Sequence, residues 1–211
     1  MFKKNVLLAP YTTFGIGGLA KQFIEVRTPE ELVTAVKMAR QNKTPYYLIA
    51  GGSNVVFGDK PILGLVIRFT PPSPSPRGRV VEKASCQGDA LTVEANLSLG
   101  SLIKHAINHN LAGIETLSGI PGTVGGAIVG NAGAYGQAIS DCLVRVQIFD
   151  LRLLDAVRPK GRTASGIRWL SKKQWQFTYR YSIFKKKDWL ILRAEFKLEK
   201  GDKKELEKKS Q

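Results

Sequence analysis

The chain has 211 residues, with 32 Lys+Arg against 17 Asp+Glu for a formal net charge of +15, and 43% of its residues are hydrophobic. Such a length and apolar fraction can bury a sizeable core, which excludes wholesale disorder. No apolar run approaches the roughly 18 residues that a membrane-spanning helix needs, so no membrane partner is expected.

At the N-terminus, MFKKNVLLAP offers a few apolar residues after its lysines and no small-residue cleavage site. No secretory leader is read there, and a cytoplasmic location is expected. Residues 10–18, PYTTFGIGG, form a Gly/Thr-rich loop, followed by a short strand over 22–26. A helix then starts at Thr28, which can N-cap, with Pro29 suited to the first helical position and Glu31 completing a capping box. Leu32, Val33, Val36 and Ala39 follow at helical spacing. Pro45 closes that unit. The stretch 46–50 reads as a buried strand running directly into Gly51-Gly52-Ser53-Asn54, and 63–69 reads as another strand.

The clearest break is 71–78, PPSPSPRG, whose closely spaced prolines cannot enter a helix or a sheet interior. It divides a first α/β unit, 1–70, from a second, 71–200, with 201–211 as a charged tail. The second opens with strands at 80–84 and 91–95 and a helix capped by Ser98, with Leu99, Leu102, Ile103, Ala106 and Ile107 on one face. After the glycine-rich 118–136 come a strand at 143–150 and a half-buried strand at 190–198. The mixture of strands and helices defines an α/β (α+β) class.

The basic residues are dispersed, with local clusters at 158–162 and 185–187 and in a tail where Glu199, Asp202, Glu205 and Glu207 interrupt the lysines. No basic stripe with interleaved aromatics is present, so no nucleic-acid partner is expected. A phosphorylated small molecule fits the charge equally well. Cys86 and Cys142 match no metal or redox spacing. His105 and His109 lie four apart on the second helix, away from the centre of its apolar stripe, and read as surface or partly packed residues; no metal is expected.

Two glycine-rich segments carry the chemistry. Gly51-Gly52-Ser53-Asn54 after a strand can act as a phosphate loop, because bare backbone N–H groups approach a phosphate closely. The same residues also make an ordinary tight turn. The segment 118–136, SGIPGTVGGAIVGNAGAYG, holds seven glycines in 19 residues. Ile120, Val124, Ile128 and Val129 make it an apolar segment and not a flexible linker. Two readings stay open: a flat ligand lying on bare backbone with Asn131 and Tyr135 as polar anchors, or a close-packed crossing with no ligand. Near the end, Phe177-Thr178-Tyr179-Arg180-Tyr181-Ser182 places an Arg beside two tyrosines. That Arg either binds a carboxylate or stabilises an oxyanion, or else stacks on a tyrosine at the surface.

YTTFGIGG at 11–18, GGSN at 51–54, the whole of 118–136 and FTYRYSIFK at 177–185 occur in that order. Together they closely resemble the UDP-N-acetylenolpyruvoylglucosamine reductase (MurB) family of flavoenzymes, which acts in peptidoglycan precursor synthesis. The resemblance implies an FAD-binding fold of the vanillyl-alcohol-oxidase/PCMH type, whose two α/β subdomains together hold FAD. By the match, Ala50, Gly51, Gly52, Ser53 and Asn54 bind the pyrophosphate. Pro121, Gly122, Thr123, Gly126, Ala127, Asn131, Gly133 and Tyr135 lie along the flavin. Arg180 is the family's active-site arginine and Tyr179 its substrate-contacting neighbour. The implied reaction passes hydride from NADPH to FAD and then to the enolpyruvyl double bond of UDP-N-acetylglucosamine enolpyruvate. The cofactor is expected to be non-covalent, since no His or Cys lies in the flavin-facing motifs, and the protein is expected to be a monomer.

The sequence departs from the family in two places. Ala50 replaces the first glycine of the family's GxGSN turn. The family also continues for roughly another domain, carrying a serine proton donor in a GSFFKNP-like motif and a late glutamate. Neither motif occurs here, and Ser182 and Ser210 do not match that serine's context, so a truncated and impaired reductase is expected. The alternative is an FAD-binding module without reductase activity. A basic nucleic-acid-binding protein ranks below both.

Overall fold

Strand pairing gives one large sheet to each of two units, Met1–Ser73 and Pro74–Gln211, and two further two-stranded pairs to the second. The computed structural model describes residues 2–70, 84–87, 90–154 and 166–210. The Pro-rich break at 71–78, the strand expected from residue 80 and the basic cluster at 158–162 fall wholly or mostly outside the described residues.

In the first unit, β1 (Lys3–Leu7) pairs antiparallel with β2 (Leu19–Val26), which leads into α1 (Pro29–Gln41), β3 (Tyr46–Ile49) and β4 (Ile62–Phe69). The sheet order is β1-β2-β4-β3, with β4 parallel to both β2 and β3. Helix α1 starts where the sequence says it should. Thr28 Oγ1 accepts from Glu31 N at 3.1 Å, and Glu31 Oε2 accepts from Arg27 N at 2.7 Å. A cap of this kind stabilises a helix by about 1 kcal/mol. The apolar stripe of α1, with Leu32, Ala35, Val36 and Ala39 buried, lies against β2 and β4. A separate cluster joins Leu8, Ala20, Phe23, Ile49 and Val66. Strand β3 departs from the expectation of a buried strand. It pairs with β4 alone, so it forms the sheet edge and leaves Tyr47 and Leu48 exposed.

The second unit is built on a five-stranded antiparallel sheet. Its chain order runs β5 (Ala84–Gln87), β6 (Ala90–Glu94), α2 (Leu99–Asn108), β7 (Leu111–Ala112), α3 (Val124–Gly130), β8 (Gly133–Ala134) and β9 (Gln137–Ala138). Then follow α4 (Ile139–Cys142), β10 (Leu143–Asp150), β11 (Ile167–Ser171), β12 (Trp189–Lys197), β13 (Glu199–Lys200) and α5 (Lys203–Lys209). The large sheet has the order β11-β10-β12-β6-β5. The alternation read in β12 holds on its core face, where Leu190, Leu192, Ala194 and Phe196 are buried. On the other face Arg193 reaches Gln147 on β10 at 3.2 Å, and Arg145 pairs with Glu195 at 2.6 Å. Ile191, expected outside, is buried as well.

The stretch 201–211, expected as a tail beyond the second subdomain, is part of this unit. Asp202 caps α5 by accepting from Lys204 N and Glu205 N at 3.0 and 3.1 Å. Leu206 is buried, and α5 packs against α2. Strand β13 pairs with β7, and Gly201 N donates to Asn110 O at 2.9 Å. A single leucine among lysines and glutamates is enough to dock this helix, a weak signal within a charge run.

The end of β10 carries a buried charge, Asp150, 2% exposed. Arg152 donates to it through Nε at 3.0 Å and Nη2 at 2.8 Å, and Arg168 Nη2 donates at 3.0 Å. These bonds, led by that of the Arg152 side chain, outweigh burial and lower the Asp150 carboxyl to about 2. The unfolded chain, with an ordinary carboxyl, takes up its proton first on acidification. Asp150 therefore contributes fully above about pH 5, and its contribution fades as pH falls toward 2. That contribution is about 2 kcal/mol at neutral pH. Asp150→Asn is expected to lower urea-unfolding stability of the second unit by about that amount at pH 7. The gap between the two proteins should narrow from about pH 4 and close only near pH 2 and below; a gap that persists there would remove the carboxylate from the explanation.

Candidate functional site

The glycine loop of the first unit follows β3. Gly52 has φ +70°, and a Cβ there would lie 1.9 Å from the Tyr11 carbonyl oxygen. Gly52 O in turn accepts from Thr13 N at 3.1 Å. The Gly/Thr-rich loop is thus seated on the 51–54 turn by backbone contact, and Thr12 Oγ1 closes that loop on Ile16 O at 3.0 Å. Gly52 is required by this packing whatever else the turn holds. Gly51 and Asn54 are exposed, Ser53 is half-buried, and Ala50 precedes them partly covered. The N–H groups of Gly51 and Asn54 donate to nothing among the described residues. These are free backbone donors of the type a phosphate takes.

In the second unit the structure sorts the glycines of 118–136 by task. Gly122 has φ +119°, and its carbonyl accepts from Leu99 N at 3.0 Å. Thr123 caps α3, accepting from Gly126 N at 3.3 Å. Val124 N donates to Leu97 O at 2.9 Å and Gly125 N to Ala95 O at 2.7 Å. The first-turn donors of α3 are therefore spent on protein. A Cβ on Gly125 would meet Ala95 at 3.0 Å, and one on Gly133 would meet Gln137 O at 2.7 Å. Those two glycines serve close packing. Gly126 and Gly130, one helical turn apart on one side of α3, differ: a Cβ at Gly130 would meet nothing within 4 Å, and one at Gly126 only Thr123 Oγ1 at 3.5 Å. That side of α3 is bare backbone, while Val124, Ala127 and Ile128 are buried. A flat ring can lie on such a surface. Pro121 is exposed beside it. The segment therefore holds glycines of two kinds, packed ones such as Gly125 and Gly133 and bare ones such as Gly126 and Gly130.

Helix α3 ends on Asn131, a left-handed C-cap with φ +45°. Its Nδ2 donates to Thr178 O at 3.0 Å, leaving Oδ1 buried without a protein partner. Tyr135 and Gly136, at φ +50° and +79°, form the tip of the β8–β9 hairpin, and Tyr135 is 93% exposed. Thr178 and Tyr181 close a second tight turn around Tyr179 and Arg180, with two backbone bonds of 3.1 Å. Tyr179 is 90% exposed, and the Arg180 guanidinium lies 6.0 Å from its ring centre. Ser182 is fully buried and donates to Val129 O at 2.7 Å, a structural role. The structure thus unites 118–136 and 177–182, two motifs far apart in sequence. Sequence reasoning missed Ser182 as the residue that ties them.

The two histidines stack at 4.2 Å, and His109 Nδ1 bonds His105 O at 2.8 Å. Burial, with the His109 charge second, lowers His105 below its ordinary value. Burial also pushes the Cys142 thiol up to about 12, which makes it an unreactive group at neutral pH.

Residues 20–152 match the FAD binding domain family, and the chain belongs to that family. Its α/β architecture is an FAD-binding fold. Within that class the similarity is narrower. UDP-N-acetylenolpyruvoylglucosamine reductase of Caldanaerobacter subterraneus subsp. tengcongensis is 36% identical over 205 residues, which is 97% of this chain and 61% of that protein. The enzyme of the same name from Solibacter usitatus is 38% identical over 204 residues, 96% of this chain and 58% of that protein. The crystal structure of UDP-N-acetylenolpyruvylglucosamine reductase (MurB) from Thermus caldophilus superposes with a TM-score of 0.73 at 28% identity, over 100% of this chain and 67% of that one. The resemblance read from the four motifs thus extends along nearly the whole chain, while the chain spans 58–61% of the length of these two curated relatives.

The residues present fit FAD: free N–H donors at Gly51 and Asn54 suit a phosphate, and the bare side of α3 suits a flat ring. Gly52→Val cannot isolate the phosphate contact, since the added Cβ strikes Tyr11 first. Gly52→Ala is expected to destabilise the first unit by at least about 2 kcal/mol without any FAD, through the strained φ and the clash. Urea unfolding of the apoprotein checks this, and an unchanged midpoint would mean that the Tyr11 loop yields.

Proposed function

We propose that this chain binds FAD non-covalently and carries the flavin- and arginine-bearing part of an NADPH-dependent reductase. Its substrate would be UDP-N-acetylglucosamine enolpyruvate and its product UDP-N-acetylmuramate, in cytoplasmic peptidoglycan precursor synthesis. The observation that carries this reading is the bonding of the bare helix α3 to a turn presenting Arg180 and Tyr179, in a chain whose relatives bear that enzyme name.

Bound FAD would supply hydride acceptance from NADPH and hydride donation to the enolpyruvyl double bond. The chain's own groups have simpler tasks. The 51–54 donors take phosphate oxygens. Gly126 and Gly130 keep side chains out of the ring's place. The Arg180 guanidinium pairs with the substrate carboxylate through its planar fork. As hydride reaches the adjacent double bond, negative charge spreads onto that carboxylate as an enolate. A fixed cation then stabilises the transition state more than the ground state. Tyr179 supports the guanidinium through its ring face. The net charge of +15 favours approach of both NADPH and the UDP sugar. We assign the active form as a monomer.

A second reading is an FAD-binding module without reductase activity. The enolate must be protonated, and a positioned acid contributes about 10²–10⁴-fold. Neither the serine-donor motif nor the late glutamate context occurs in the 211 residues. Little steady-state turnover by this chain alone is expected.

FAD titration followed by flavin absorbance tests the base of the proposal, and a chain that takes up no FAD would end it. In a protein completed with a relative's C-terminal region, Arg180→Lys should keep FAD affinity and lose about 10²–10³ in kcat. An Arg180→Lys protein turning over at the parent rate would remove Arg180 from the mechanism.

A further inference from the structure

We infer that Asn131 is a positioning residue: it clamps the Tyr179–Arg180 turn to the C-terminal end of α3 and so sets where the Arg180 guanidinium meets an anionic substrate. The inference rests on the reading of Arg180 given above, and it deepens that reading.

The turn needs such a clamp. Two backbone bonds of 3.1 Å between Thr178 and Tyr181 close it, and both side chains at its tip point into solvent. Arg180 has φ +54°, a left-handed conformation that is strained for a non-glycine residue. A two-residue turn with a strained arginine does not hold one orientation by itself. The stem is gripped on both sides by α3. Asn131 Nδ2 donates to Thr178 O at 3.0 Å before the turn, and Ser182 Oγ donates to Val129 O at 2.7 Å after it. Lys185 Nζ adds a bond to Arg180 O at 2.7 Å.

Asn131 combines two demands that few residues meet together. Its backbone is left-handed at φ +45° and ends the helix, with its N–H on Ala127 O and Ile128 O. Its side chain must also donate, because the Thr178 carbonyl only accepts; this fixes which end of the amide is the nitrogen. Glycine would meet the first demand and not the second. Aspartate tolerates the backbone and keeps the shape, yet donates only when protonated. These two residues therefore separate the cap from the clamp.

The experiment uses the FAD-loaded chain, the variants Asn131→Gly and Asn131→Asp, and Arg180→Lys alone and combined with Asn131→Gly. UDP-N-acetylglucosamine enolpyruvate binding is read from its perturbation of flavin absorbance, and amide hydrogen exchange is read at Thr178 and Tyr181. In the FAD-loaded protein Asn131→Gly is expected to weaken substrate binding about tenfold and to speed exchange at both amides while α1 stays unchanged. Its loss should not add to that of Arg180→Lys, since both act through one guanidinium. Asn131→Asp should behave like Asn131→Gly at pH 8 and recover toward the parent as pH falls, when a buried carboxyl regains a proton to donate. Asn131→Gly should show no such recovery. Additive losses, or parent-like substrate binding in both variants, would each overturn the inference. If the parent binds FAD and shows no response to substrate, the functional reading fails. The exchange data then decide the clamp alone, with unchanged rates at Thr178 and Tyr181 refuting it.

Discussion

Helix α3 is held by its own first turn. Val124 N and Gly125 N donate to Leu97 O and Ala95 O, and the Gly122 carbonyl takes the Leu99 N–H, so backbone hydrogen bonds dock α3 on the connection between β6 and α2. A side chain at Gly125 would push Ala95 away and break that approach. Everything else in the second unit's candidate site hangs from this contact. The bare side at Gly126 and Gly130, the left-handed cap at Asn131 and the arginine turn bonded to that cap all follow from where α3 lies. Because the helix's leading N–H groups are already satisfied, any ligand of α3 must use its side and not its N-terminal end.

The first unit solves a similar problem differently. There the close approach is between two loops, with Gly52 packed on the Tyr11 carbonyl and Thr13 N on Gly52 O. The contact orders the 51–54 turn by fixing one residue, and the N–H groups of Gly51 and Asn54 donate to nothing among the described residues. In both units, glycine at the point of contact serves structure, and the neighbouring exposed backbone is what remains for a ligand. A glycine-rich motif in this fold is thus a mixture of packed positions and positions that leave backbone bare.

Much of this was legible in the sequence. The Thr28–Pro29–Glu31 cap, the Ser98 cap and the alternation of β12 rest on local chemistry, and local chemistry sufficed. Edge or centre is a property of the whole sheet, so Tyr46–Ile49 looked like a buried strand and proved to be an edge. Leu206 was hidden in a charge run because burial of one side chain leaves no periodicity to read. The division of labour among the seven glycines was not legible at all, since it depends on which backbone lies opposite each one.

Arg180 shows why a motif alone understates a site. In the sequence it stands between two tyrosines, equally fit for a ligand or for the surface. In the structure it is at the surface and beside Tyr179, as the plainer reading had it, yet its backbone is strained and its turn is bonded twice to α3. A glycine or an asparagine would adopt that left-handed φ at lower cost. Strain at this exposed position is held in place by a fully buried serine and a nearly buried asparagine, so the fold, and not the two-residue turn alone, sets the direction in which Arg180 leaves the surface.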